Sequence, residues 1–97
     1  MAYKIIYTAI AEADIDEAMD YFINRVSLKV GESFYEDWKE AEIKLKYTPY
    51  FQKIYKDFHR LPFHKFPYIF IYKIEKQSET IRVFRIFHAS QNPEKYP

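Results

Sequence analysis

The stretch Lys65-Phe66-Pro67-Tyr68-Ile69-Phe70-Ile71-Tyr72-Lys73-Ile74 restricts more than any other what this chain can fold into. In extended form it puts Phe66, Tyr68, Phe70, Tyr72 and Ile74 on one side, and Pro67, Ile69 and Ile71 on the other. Successive side chains of a strand point to opposite faces, so this strand has no solvated side. A strand that is apolar on both faces belongs in the middle of a sheet, covered above and below. Pro67 has no N–H to give to a ladder and has to stand at the strand's entry. Every other segment must pair with this strand or cover it.

The flanking segments supply both. Tyr3 to Thr8 predicts a first strand, and Thr8 is placed to cap the helix that follows. Ala11, Ile15, Ala18, Met19, Phe22 and Val26 then share one helical face, and the pattern runs to about Arg25. Acids fill the early turns, where the helix dipole favours them, and Asp16 and Asp20 read as a solvated face rather than a metal site. Ser27 caps a second helix with the stripe Val30, Phe34, Trp38, Ala41 and Leu45, which Thr48-Pro49 ends. Trp38 reads as a core anchor. Gln52 to Leu61 predicts a strand ended by Pro62, with Ile54, Lys56, Phe58 and Arg60 on one side. Leu61 to His64 turns the chain into the central strand, and His59 and His64 are expected in solvent. Lys76 to Glu79 forms a turn without glycine, Thr80 to His88 the last strand, and residues 89–97 a tail with loop chemistry. The order β-α-α-β-β-β is an α+β fold, with a helical hairpin on one face of a four-stranded, mostly antiparallel sheet. Residues 1–97 make a single domain.

Composition narrows the function. The absence of cysteine removes disulfides and thiolate metal sites. The start does not resemble a signal peptide, and no apolar run approaches the roughly 20 residues of a membrane span. The expectation is a soluble, cytoplasmic protein with no membrane, metal or small-molecule cofactor. Residues 1–43 carry four Lys/Arg against ten Asp/Glu, whereas residues 44–97 carry eleven against four. The helical half is thus acidic and the sheet half basic, the footprint of a protein that meets a polyanion or an acidic protein segment.

The only glycine, Gly31, lies inside a helix, which excludes glycine-rich phosphate loops. The remaining chemistry lies in Arg60, Arg82, Arg85, His59, His64 and His88. Such groups can cut RNA without a metal: one takes the 2′-hydroxyl proton, an Arg steadies the phosphate charge, and an acid protonates the leaving oxygen. Those roles require the side chains to converge. On a regular last strand Arg82, Phe84, Ile86 and His88 share a face and Arg85 belongs to the other, unless a bulge intervenes. Arg82 and His88 are about 20 Å apart, and Arg60 is the more natural partner for either Arg85 or His88. The plainer readings are that His88 hydrogen-bonds a neighbour and that Arg85 pairs with a helix acid.

The element order, the segment Phe66 to Ile74, and the ending Ile81 to His88 followed by Asn92-Pro93 resemble the RelE/ParE toxin superfamily. Tyr7, Ala11, Asp14 and Pro49 are similar to that family's residues at corresponding places. The resemblance implies the toxin of a bacterial type II toxin–antitoxin module, such as serves plasmid stabilization, with a cognate antitoxin protein as partner. Two activities are implied. RelE-like members inhibit translation as endoribonucleases that cleave mRNA on the ribosome; ParE-like members poison DNA gyrase without nuclease chemistry. In the first, His88 is the acid or base and Arg60 and Arg85 hold the scissile phosphate. Arg82, Lys56 and Lys65 are then the expected contacts to RNA or another target. After His88, where many members continue with arginines, this chain has Ala89-Ser90-Gln91.

Overall fold

Thr8 sets the architecture. The computed structural model describes residues 2–90, and in it Thr8 joins strand β1 (Lys4–Tyr7) to helix α1 (Ala9–Tyr21). Its hydroxyl accepts from the Ala11 N–H at 3.1 Å, the predicted cap. The same hydroxyl donates to the Phe84 carbonyl at 3.1 Å, which ties the start of the helix to the last strand. Ser27 caps α2 (Leu28–Tyr47) in the same way, accepting from the Val30 N–H at 3.1 Å. At the far end Thr48 returns both its N–H and its hydroxyl to the Lys44 carbonyl, and Pro49 follows.

Between the helices the chain makes one wide π turn, Phe22–Val26. A π turn holds an extra residue, so it rotates the helical phase. Val26, predicted on the buried face, is therefore half exposed. The turn also brings Ile23 against Gly31, where a Cβ would lie 2.5 Å from Ile23 Cγ1. Only glycine permits that approach without movement of the neighbour.

Strands β2 (Phe58–Pro62), β3 (Tyr68–Glu75) and β4 (Thr80–His88) complete a sheet of order β1-β4-β3-β2. The pairs β2–β3 and β3–β4 are antiparallel and β1–β4 is parallel. β3 is thus an interior strand, beside β4, and Pro67 stands just before it, as its missing N–H requires. The two-sided pattern also holds. Phe70 and Tyr72 join Phe34, Leu45, Ala41 and Ile15 in the core beneath the helices. Ile69 and Ile71 pack with Phe58 and Phe87 on the opposite face, with Ile54 and Phe84 against them. Among the described residues no helix covers that second face; its own aromatic side chains pack over it. Phe34 is the hub of the first core, within 5.0–5.8 Å of the rings of Phe22, Phe63, Phe66 and Tyr68. A side chain of that size contributes about 1.5–3 kcal/mol by leaving water.

Two local departures from expectation matter for the site. The predicted strand from Gln52 folds back on itself: Lys53 bridges His59, and Lys56 takes a left-handed φ of 52° at the turn. Strand β2 is accordingly short, an edge strand whose last residue is Pro62, where a missing N–H is tolerated. The second departure is a bulge. Ile71 faces Arg85 but Tyr72 faces Val83, so Phe84 is the extra residue in β4. Of the predicted tail, Ala89 and Ser90 form a turn; the rest lies outside the described residues.

Candidate functional site

The bulge decides which side chains meet. Below it, Ile81 and Val83 face the helices; above it Ile86 does so as well, in place of the regular alternation. Arg85 is thereby moved to the same face as Arg82. Paired residues of neighbouring strands share a face, so two rows run across the sheet away from the helices. One is Phe58, Lys73 and Arg82; the next is Arg60, Ile71 and Arg85. Arg60 and Arg85 flank buried Ile71 two strands apart, about 10 Å between backbones.

Each cation on this face rests on an aromatic ring or an acceptor. Lys73 Nζ lies 4.6 Å from the Phe58 ring centre, and the Arg85 guanidinium lies 4.5 Å from that of Phe87. Arg82 grips Glu75 through Nε at 2.8 Å and Nη2 at 3.4 Å. That hydrogen bond lowers the Glu75 carboxyl below its ordinary value and raises Arg82. Arg85 makes the tighter fork, Nε to Asp14 Oδ2 at 2.8 Å and Nη2 to Oδ1 at 3.2 Å. Asp14 Oδ2 also accepts the Ile86 N–H at 2.9 Å. β1 ends opposite Val83, so this carboxylate takes over an edge that no strand among the described residues pairs. Arg60 donates from Nη1 to Gln52 Oε1 at 3.2 Å, while its buried Nε has no hydrogen-bond partner among the described residues.

His88 sits elsewhere. It is in register with Tyr68, whose ring it meets edge-to-face at 5.2 Å on the helix side of the sheet. Its Nδ1 pairs with Ser90, at 2.7 Å from the hydroxyl and 3.2 Å from the N–H. The imidazole lines a cleft of about 490 Å³ with Asp14, Glu17, Tyr21, Phe66 and Tyr68. The structure thus brings Arg60, Arg82 and Arg85 to one face and places His88 on the other.

Lys56 and Lys65 are exposed at opposite ends of β2. The loop that carries Lys65 is fixed by Asp37, a carboxylate only 2% exposed. Asp37 accepts the Lys65 N–H at 3.0 and 3.1 Å and the Phe66 N–H at 2.8 Å. His64 is exposed as expected. His59 differs from expectation: it is half buried, stacked on Tyr72 at 5.6 Å, with Nδ1 3.0 Å from the Phe51 carbonyl. Its place on the helix side of β2, beside Tyr72, removes it from solvent. Trp38 packs against the core and donates from Nε1 to the Tyr7 hydroxyl at 3.0 Å, and that hydroxyl donates to Glu42. Burial, reinforced by Glu42, pushes the Tyr7 phenol far above its ordinary range.

Composition and periodicity did not reveal Asp37, Gln52 or Lys73 as parts of this arrangement. Asp37 had a signal: it lies three residues after Phe34 and four before Ala41, inside an apolar stripe where a carboxylate needs a buried partner. Gln52 and Lys73 carried none.

Two helices on one face of a four-stranded sheet, with a basic and aromatic opposite face, define a small two-layer α+β protein. The chain belongs to the ParE toxin family of type II toxin–antitoxin systems, whose sequence model matches residues 5–93, and so to the RelE/ParE superfamily. Similar solved structures include a chromosomal ParDE system from P. aeruginosa, at TM-score 0.76 and 15% identity over 92% of this chain and 98% of that one. The RelBE2 complex from Mycobacterium tuberculosis matches at TM-score 0.63 and 15% identity, over 91% and 99% of the two chains. The E. coli RelBE complex matches at 0.57 and 12%, over 93% and 100%. Curated protein sequences give no significant match.

Proposed function

We propose that this chain is the toxin of a type II toxin–antitoxin module, neutralised by a cognate antitoxin, and that it inhibits growth by docking on its target without cutting it. DNA gyrase is the target class that the resemblance to ParE implies. One observation carries the reading: His88, the acid or base of the RNA-cleaving alternative, lies across the sheet from Arg60 and Arg85. Arg85 is further engaged by Asp14, which suits a fixed binding surface better than a group that must follow charge through a reaction. Arg60, Lys73 and Arg82 are the contacts assigned to the target, with Lys56 and Lys65 at the margins.

The test expresses the chain and two variants. Docking predicts trapped breaks when gyrase and supercoiled plasmid are added, no codon-positioned cuts by primer extension on cellular mRNA, and full toxicity of His88→Ala. Arg60→Glu, on the open face, should abolish toxicity while the protein stays folded. Ribosome-dependent cuts that disappear in His88→Ala would instead establish mRNA endonuclease activity and overturn the docking reading.

A further inference from the structure

The cleft around His88 has a character opposite to that of the basic face. Tyr21, Phe22, Phe66 and Tyr68 wall it. They meet at their edges: Tyr21 on Phe22 at 5.2 Å, Phe22 on Phe66 at 5.1 Å, both close to perpendicular. The faces of such rings carry negative charge density that attracts cations. Two carboxylates line the same space. Asp14 is engaged with Arg85 and the Ile86 N–H, but the Glu17 carboxylate has no hydrogen bond or ion pair with any described residue. Among the described residues no Lys or Arg lines the cleft. Burial, and after it the nearby Tyr21 and Glu17, raises the Tyr68 phenol and keeps it neutral.

We propose that this cleft is a cation site that receives a lysine or arginine side chain from a partner protein, with Glu17 as counter-ion and Tyr21 and Tyr68 as its aromatic walls. An anion would meet the Glu17 carboxylate and be repelled, the Asp14 charge being already balanced by Arg85. A purely apolar side chain would leave the Glu17 charge at the rim without a counter-ion. The volume, about 490 Å³, admits the alkyl stem of a long side chain as well as its charged head. The cleft also opens beside the end of β4, past the last residue paired with β1. An extended segment can follow that margin and lay a side chain inward. The site is independent of which target the basic face meets.

The experiment is an NMR titration of the folded chain with Nα-acetyl-lysine methylamide, Nα-acetyl-arginine methylamide, the neutral norleucine analogue, and spermidine. The expected result is saturable shifts of the Tyr21, Tyr68 and His88 ring signals with the lysine or arginine amide and none with norleucine. Glu17→Gln, at an exposed helix position, should leave the rest of the spectrum unchanged and weaken binding by about tenfold. Equal shifts with norleucine, unchanged affinity in Glu17→Gln, or no saturable shift with either amide overturns the proposal. Saturation by spermidine without response to the two amides overturns the assignment to a protein side chain.

Discussion

Asp37→Ala should be the most damaging single change outside the apolar core. The carboxylate is buried at 2% exposure and holds two backbone N–H groups, those of Lys65 and Phe66, through three contacts of 2.8–3.1 Å. Hydrogen bonds to a charged group contribute about 1.5–3 kcal/mol each. Alanine leaves both donors without an acceptor at a half-buried site, which water reaches only in part. The expected loss is about 3–4 kcal/mol, out of the 5–15 kcal/mol or so that stabilises a typical domain. At roughly 4–8 °C per kcal/mol for a chain of this size, the melting temperature should fall by at least about 12 °C. Asp37→Asn keeps one acceptor oxygen and should lose about half as much. Thermal melts followed by circular dichroism, with urea midpoints alongside, measure both. An alanine variant that melts within about 3 °C of the parent would refute the idea that this carboxylate fixes the Lys65 loop.

Other changes have defined signs. Lys56 and Glu79 hold left-handed φ values of 52° and 49°, so glycine at either position should raise stability by about 0.5–1 kcal/mol, read as a higher urea midpoint. Gly31→Ala should lose about 1 kcal/mol net in the same assay. Alanine is the better helix former, but its Cβ would sit 2.5 Å from Ile23 Cγ1 and force the π turn to move. Burial raises the Tyr72 phenol above its ordinary value of 10.0. The stability it contributes is therefore complete below that pH and is lost as pH climbs past it. Tyr72→Phe should flatten the alkaline decline in urea midpoint, while removing at neutral pH a hydrogen bond to the Pro49 carbonyl that contributes about 1 kcal/mol.

What could be read in the sequence followed from burial. The two-sided apolar pattern at Tyr68–Tyr72, the proline at its entry, the stripes of α1 and α2 and their Thr8 and Ser27 caps each express a local rule that the tertiary structure obeys. The site was harder because a bulge has no composition of its own. Nothing in Val83-Phe84-Arg85-Ile86 says that Phe84 will be the extra residue, yet that residue moves Arg85 to the face of Arg60 and Arg82. The reversal at Lys56 was hidden for a related reason: the turn uses lysine in a backbone conformation that glycine or asparagine usually signals. The pairing of Arg85 with a helix acid was open to reading as a charge argument; that Asp14 would also take the Ile86 N–H was not.

The parallel pairing of β1 with β4 has a temporal side. Lys4 meets Thr80 and Tyr7 meets Val83, so β1 has to wait for β4, more than 70 residues later, before it can pair. Contacts that span most of a chain form late, after the entropy of closing a long loop has been met. A nascent chain short of Thr80 can coil its two helices and pair β2 with β3, but it holds neither β4 nor Arg85. The face that carries Arg60, Arg82 and Arg85 therefore comes into being only after β4 has been made.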